Sequence, residues 1–255
     1  MMKLLFFDID GTLAIERNVP ASAEEGIRQC REKGDLVFIC TGRNVNYVKR
    51  NFAKYADGCI CHNGRLAYVG EELIFSAPLR RDQIEELVGR LKELEAGYVF
   101  HTLKHGYYEG PEEGFEYMKA VGDPGYLLKG FDERDDEYYN FDIYFRDVPH
   151  RDRIRDALSD ICILNPHGPH PSADMTVIDV GKGDAIVAVA EKLGIDIRNT
   201  YAFGDGMNDI GMLKAAGHGI AMGNGTSETK AAAEFITTDI DHDGVYNGLK
   251  HYGLI

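Results

Sequence analysis

Lys3-Leu4-Leu5-Phe6-Phe7-Asp8-Ile9-Asp10-Gly11-Thr12 runs an apolar segment directly into two carboxylates and a glycine turn. A run of Leu and Phe bounded by a Gly turn is the pattern of a strand buried on both faces, as in a parallel sheet. Ligands of such sheets bind beyond the carboxyl ends of the strands, which is where Asp8 and Asp10 stand. Two carboxylates held that close repel unless a cation or a proton lies between them, so the pair points to a divalent metal and to acid/base chemistry. An ordinary Asx turn with a glycine shares this local sequence, and further segments are needed to separate the two readings.

Three later segments supply them. Leu36-Val37-Phe38-Ile39-Cys40 is a second apolar strand ending in Thr41-Gly42-Arg43. That triplet offers a hydroxyl, a flexible backbone and a cation, all suited to a phosphate, and Thr41 also has the chemistry of a helix N-cap. Tyr201-Ala202-Phe203 leads into Gly204-Asp205-Gly206-Met207-Asn208-Asp209, which brings two more carboxylates and an amide on a glycine-rich turn. Between these lies Gly181-Lys182-Gly183-Asp184, where glycines on both sides let a lysine approach a phosphate closely. Taken singly, each reads as a loop or a solvated lysine.

In this order the four segments resemble the four motifs of the haloacid dehalogenase superfamily of phosphotransferases, and their detail is similar to its Cof-like phosphatase branch. The similarity continues through Met212-Leu213-Lys214-Ala215-Ala216-Gly217, Gly219-Ile220-Ala221-Met222-Gly223-Asn224 and Asp243-Gly244-Val245. Asn63-Gly64, after the strand Gly58 to Cys61, also resembles that branch, which usually places a small residue next where this chain has Arg65. The resemblance implies an α/β fold: a doubly wound, Rossmann-like parallel-sheet core from residues 1–81 and 181–255, with an α+β cap of residues 82–180 inserted between the second and third motifs and covering the site.

It also implies a Mg²⁺-dependent phosphatase that hydrolyses a small phosphorylated metabolite, such as a sugar phosphate, through an aspartyl-phosphate. Asp8 then matches the nucleophile, and Asp10 the group that protonates the leaving alcohol and afterwards activates water. The metal would be held by Asp8, Asp205 and the Asp10 main-chain carbonyl, with Asp209 acting through a water. Thr41 and Gly42 would hold the phosphate, Lys182 would offset its developing charge, and Asn208 would position Lys182 or a phosphate oxygen. Arg43, Asn63 and Gly64 complete the expected substrate-binding set.

Composition bounds the alternatives. At 255 residues, roughly 150 per domain gives one or two domains. Lys and Arg number 28 against 42 Asp and Glu, a formal net charge of −14, which makes a poor polyanion binder and excludes nucleic acid as the expected partner. No apolar stretch approaches the ~18 residues of a spanning helix, and the first apolar run belongs to the Asp8 strand rather than to a signal peptide, so no membrane partner and a cytoplasmic location are expected. Five cysteines, an odd number, fit reduced thiols. Cys59-Ile60-Cys61-His62 lacks the second ligand pair of a zinc site and reads as buried strand. Nothing in the sequence narrows the oligomeric state beyond monomer or homodimer.

Alternating patterns give the elements. Residues up to about 80 read as Leu4 to Phe7, a helix from Ser22 or Ala23 to Lys33, Leu36 to Cys40, a helix near Val45 to Tyr55, and Cys59 to Cys61, with Ser22 and Glu25 as a capping box and Gly34 as the stop. From Asp82 the texture changes. The expected elements are a helix from Gln83 to Leu94, strands Tyr98 to Thr102 and Gly106 to Glu109, a helix from Glu112 to Val121, a strand from Tyr139 to Phe145, a helix from His150 to Ser159, and strands Ile161 to Leu164 and Met175 to Asp179. A helix from Ala185 to Leu193 returns the chain to the core, which closes with Tyr201 to Phe203, Ile220 to Met222, Ala231 to Ala233 and Phe235-Ile236. The acidic clusters Glu71-Glu72 and Asp132 to Glu137 read as solvated loop faces.

Three other functions compete. A phosphomutase of the same superfamily would need a cationic site for a second phosphate in the insert, with Arg146, Arg151 and Arg153 as its candidates. A receiver domain would be about half as long and without an insert, and a non-enzymatic phospho-ligand binder would have no need of the carboxylates. A nicotinamide enzyme is disfavoured, because no Gly-x-Gly-x-x-Gly follows the first strand.

Overall fold

The computed structural model describes residues 2–122, 125–131 and 137–255. Two compact units account for them, one of residues 1–76 and 180–255 and the other of residues 77–179. Among the described residues no helix is long and apolar enough to cross a membrane, and all five cysteines are buried and free.

The first unit opens with β1 (Leu4–Phe7), α1 (Ala21–Glu32), β2 (Leu36–Cys40), α2 (Val45–Asn51) and β3 (Gly58–Cys61). Two further strands follow, β4 (Leu66–Val69) and β5 (Glu72–Ser76). They pair antiparallel with β3 and with each other, so the sheet is parallel at its centre and antiparallel at this edge. The sequence reading missed this hairpin. Glu72 lies on β5 and pairs with Lys192 at 2.7 Å, while the exposed Glu71 pairs with Lys49.

Residues 77–179 form α3 (Arg81–Glu93), β6 (Gly97–His101), β7 (Gly106–Glu109), α4 (Glu112–Val121), β8 (Leu127–Lys129), β9 (Asn140–Tyr144), α5 (Val148–Leu158), β10 (Cys162–Pro166) and β11 (Ser172–Val177). Their sheet runs β10-β11-β9-β6-β7-β8. Strand period and helix period decide its two faces. Tyr98, Phe100, Phe141, Ile143 and Met175 share a core with Ile84, Leu87 and Leu91 of α3 and with Ile154 and Leu158 of α5. Val99 and Tyr108 point the other way and pack on Phe115 and Met118 of α4. The short β8, parallel to β7, has too few residues to show a period and was not anticipated. The acidic stretch from Asp132 lies outside the described residues as far as Asp136.

The chain then returns to the first unit as α6 (Lys182–Leu193), β12 (Thr200–Gly204), α7 (Ile210–Ala215), β13 (His218–Ala221), α8 (Ser227–Ala232), β14 (Phe235–Ile236) and α9 (Gly244–His251). Helix α6 starts at Lys182, three residues before the expected Ala185, and Ala231 lies on α8, between β13 and β14. The strand order is β14-β13-β12-β1-β2-β3-β4-β5. From β1 the chain winds one way to β2 and β3, and it later adds β12 and β13 on the other side. The carboxyl ends of β1 and β12 therefore flank the switch point where such sheets bind ligands. One face of β1 (Leu4, Phe6) and of β2 (Phe38, Cys40) packs on Ile186 and Val189 of α6 and on Met212 and Leu213 of α7.

Two capping expectations fail. Pro20, with φ of −55°, is pre-set for a helix boundary, so α1 starts at Ala21 and Ser22 falls inside its first turn. The Ser22 hydroxyl is buried without a hydrogen-bond partner, and Glu25 binds Arg28 at 2.6 Å and Gln29 at 2.7 Å instead of closing a capping box. The α2 cap is Asn44, which accepts the Tyr47 amide at 2.9 Å, not Thr41.

These facts give a sharp expectation for Ser22→Ala. Loss of a true N-cap costs about 1 kcal/mol, whereas removing a buried, unpartnered hydroxyl within a helix leaves stability unchanged or slightly higher. Urea unfolding of the two proteins should give midpoints that coincide or favour alanine.

Candidate active site

Four parallel strands end side by side, and each delivers a polar group at its carboxyl end. Phe7 pairs in register with Phe203 and with Ile39, and the Asp8 amide continues the ladder to the Phe203 carbonyl at 3.0 Å. Asp8 after β1, Thr41 after β2, Asn63 after β3 and Asp205 after β12 are thereby set along one rim.

Lys182 closes the site from beneath. Its side chain has no exposure, and its Nζ donates to Asp8 Oδ1 and Asp209 Oδ1, both at 2.6 Å. The other Asp209 oxygen accepts the Asp205 and Gly206 amides, each at 2.9 Å, so this buried carboxylate ties the β12 turn to α6. The lysine is brought in by a close backbone approach. His62, Asn63 and Gly64 all have positive φ, at 50°, 54° and 99°, a strained run of the kind found at functional sites. A Cβ on Gly64 would lie 2.2 Å from the carbonyl of Gly181, so only glycine lets this turn meet the start of α6.

Asp205 is fixed by a residue to which the sequence reading gave no role. Thr12, fully buried, donates its hydroxyl to Asp205 Oδ1 at 2.7 Å. Gly11, with φ of +86°, passes so near that a Cβ would meet Asp205 Oδ2 at 2.4 Å. Asp-Gly-Thr was visible as a turn, but its partner stands 193 positions away.

The second and third strand ends are stitched together. The Thr41 hydroxyl accepts the Arg43 amide at 3.2 Å, and its carbonyl accepts the Asn63 amide at 3.1 Å. Asn208, expected to position Lys182 or a phosphate oxygen, donates to Asn63 Oδ1 at 3.1 Å. Gly42 lies between Thr41 and Arg43 on this turn.

Asp10 stands apart from the other three acids. Its half-exposed carboxylate accepts Arg43 Nε at 3.0 Å. Oxygens of Asp8, Asp205 and Asp209, by contrast, all lie within 4.8 Å of one another. One ammonium faces those three carboxylates. Burial pushes the Asp8 carboxyl well above the ordinary carboxylate range, with Lys182 opposing and Asp209 and Asp205 adding to the rise. Burial and then Asp209 push Asp205 up to about 6. Burial alone would lower Lys182, but Asp209 and Asp8 outweigh it and hold the ammonium charged. Excess negative charge among oxygen donors is what a hard divalent cation requires, and these residues fit one.

In the second unit several histidine and tyrosine side chains are engaged locally. His101 lies 3.0 Å from the Tyr126 hydroxyl and 3.3 Å from Asp142, His167 bonds Ser172 at 2.9 Å, and His170 lies 2.8 Å from the Tyr117 hydroxyl. The Tyr108 hydroxyl donates to the Pro111 carbonyl at 2.7 Å. Arg146 pairs with Glu95 at 3.2 Å and Arg151 with Asp152 at 2.9 Å, so two of the three arginines that were candidates for the mutase reading already face carboxylates.

Comparison with known proteins places this architecture. The sequence model of the haloacid dehalogenase-like hydrolases matches residues 5–249. The chain is 30% identical to YkrA of Bacillus subtilis (strain 168), whose name proposes a phosphatase, over 99% of this chain and 98% of that protein. It is 28% identical to the 5-amino-6-(5-phospho-D-ribitylamino)uracil phosphatase YcsE of the same organism, over 99% and 96%. Among solved structures, the subclass IIB sugar phosphatase BT4131 superposes with a TM-score of 0.84 at 27% identity, covering all of both chains.

Two outcomes follow from the charge balance. Lys182→Met should lower stability at neutral pH by about 3–5 kcal/mol, because Asp8 and Asp209 are left buried with no cation; chemical denaturation measures this. Asp205, with a folded-state pKa of about 6 against 3.8 for an unperturbed carboxyl, adds stability below the lower value and loses it as pH rises through the higher one. Melting in chelator should therefore fall from about pH 4 to pH 6 on its account. A divalent cation should restore the loss, and Asp205→Asn should abolish both effects.

Proposed function

The chain belongs to the haloacid dehalogenase-like hydrolases and is a phosphoric monoester hydrolase, and we propose that it is a Mg²⁺-dependent phosphatase of small phosphorylated metabolites, sugar phosphates among them, working through an aspartyl-phosphate on Asp8. The observation that carries this reading is Asp8 at the switch-point strand end, bonded to a buried, charged Lys182 at 2.6 Å. A lysine there holds one Asp8 oxygen in place and leaves the carboxylate oriented for in-line attack on phosphorus.

The roles divide by position. Asp8 attacks, and the bond from phosphorus to the leaving oxygen breaks as the new acyl phosphate forms. Asp10, on the more exposed side of the site, supplies the proton to that oxygen and then removes one from the attacking water. Lys182 stabilises charge as it builds on the phosphoryl oxygens, and the Thr41 hydroxyl with the turn amides around Gly42 holds the remaining oxygens. Asn208 and Asn63 brace that turn through the hydrogen bond that the Asn208 side-chain amide donates to Asn63 Oδ1. Mg²⁺ held by Asp8, Asp205 and the Asp10 carbonyl, with Asp209 behind them through water, would neutralise phosphoryl charge. Thr12 keeps the Asp205 carboxylate aimed for this task.

Variants at the two acids of the first turn separate their roles. Asp8→Asn should lose roughly three or more orders of magnitude in turnover, as expected for a missing covalent nucleophile. Asp10→Asn should still be phosphorylated by an aryl phosphate, whose leaving group needs little protonation, and should then accumulate phosphoenzyme. Rapid-quench and steady-state phosphate release distinguish the two, and near wild-type turnover by Asp8→Asn would refute the mechanism. Excess chelator should abolish turnover, with Mg²⁺ restoring it and Ca²⁺ restoring little, because calcium coordination is larger and looser.

A further inference from the structure

The turn that follows Asp10 is bent in a way its own sequence does not favour. Ile15 and Asn18 exchange both backbone hydrogen bonds, at 3.0 and 2.8 Å, which makes Glu16 and Arg17 the two central residues of a hairpin. Both have positive φ, 56° and 107°. That is the type I′ geometry, for which Asn-Gly or Gly-Gly is the unstrained choice. A residue with a Cβ is disfavoured at the second of these positions, so backbone preference does not account for the arginine.

The side chain supplies the reason. The Arg17 guanidinium carbon lies 5.7 Å from the centre of the Tyr47 ring, and that of Arg43 lies 5.1 Å from the same ring. Tyr47 is buried and its amide is fixed by the Asn44 cap of α2, so it is a rigid base for both cations. Arg43 in turn sits 3.0 Å from Asp10. Among the described residues, Arg17 pairs with no carboxylate and rests only on the ring.

Two like charges are thus gathered on one ring beside the half-exposed Asp10. We propose that Arg17, together with Arg43, binds a second anionic group, a carboxylate or another phosphate, on the leaving group of the substrate. The proposal rests on the phosphatase reading above, in which Asp10 touches the leaving oxygen and Arg43 therefore flanks the departing fragment. Guanidinium forks match both carboxylate and phosphate. They also answer a specific difficulty, since a chain of net charge −14 repels a substrate with an extra negative charge unless cations stand where that charge arrives. A neutral leaving group has no need of them.

The test compares substrates that share a two-carbon leaving group and differ at its far end, in 2-phosphoglycolate a carboxylate, in ethylene glycol bisphosphate a second phosphate and in 2-hydroxyethyl phosphate a neutral hydroxyl, with p-nitrophenyl phosphate as a control. Arg17→Gly relieves the turn while deleting the guanidinium, so folding is retained and a melting curve verifies it. It should lower kcat/KM for at least one of the two charged substrates about tenfold, the size of one charge-assisted contact, with the 2-hydroxyethyl and aryl phosphates unchanged. Arg17→Lys should recover part of the loss. The arm that falls identifies the second group as carboxylate or phosphate. An equal fall for all four substrates would make Arg17 a brace for the hairpin and overturn the proposal, as would no change for any. Absence of phosphate release from p-nitrophenyl phosphate by the unaltered protein would overturn the phosphatase reading, and this proposal with it.

Discussion

A lysine with no solvent exposure, bonded to two carboxylates that are themselves nearly or fully buried, is the interaction on which the rest of the site is arranged. Such a group survives only with its charge matched and its donors satisfied. The requirement reaches far along the chain: Asp8 comes from the first strand, Asp209 from the turn after β12, and Lys182 from the first turn of α6. Each is held by ordinary backbone structure, so the ion network fixes the relative positions of elements that the parallel ladder alone would leave free to shift.

Neutrality is incomplete by design of the residue set. Lys182 answers Asp209 and part of Asp8, while Asp205 remains, oriented by Thr12 and pressed upward in pKa by its surroundings. The same imbalance that disfavours the metal-free site gives a divalent cation its place. Asp10 adds its charge to the rise at Asp205, but it is half-exposed and pairs with Arg43. The two carboxylates of one turn consequently occupy different electrostatic settings, which is the condition for giving them different chemical tasks.

The strained backbone is concentrated at the same rim. His62, Asn63 and Gly64 bend to let α6 begin against β3, and Glu16 and Arg17 bend to turn the chain after Asp10. Strain of this kind persists where packing over-determines it. Here the anchors are visible: the Asn63 amide on the Thr41 carbonyl, Asn208 on the Asn63 side chain, and two guanidinium groups on the Tyr47 ring.

Much of this was legible in the sequence because the signals are local. An apolar run that stops at acids and glycine specifies a buried strand with a polar end, and helix periodicity between Gln83 and Leu94 specifies a face. The central strands β1, β2 and β3 and the helices of the second unit follow from patterns a few residues long. Where one local signal contradicted another the reading failed: Pro20 overrode Ser22 as the start of α1, and the α2 cap is Asn44 rather than Thr41, which has the same capping chemistry. The β4–β5 hairpin and β8 were missed because short or half-exposed strands carry little periodicity. The amino-acid order by itself thus determined which groups stand at strand ends and which chemistry they can perform. Only the tertiary structure decided which of them meet, that Thr12 serves Asp205, that Asn208 serves Asn63, and that Asp10 faces Arg43 rather than the other acids, because those contacts join residues far apart in the chain and are selected by charge balance in a buried space that no local pattern records.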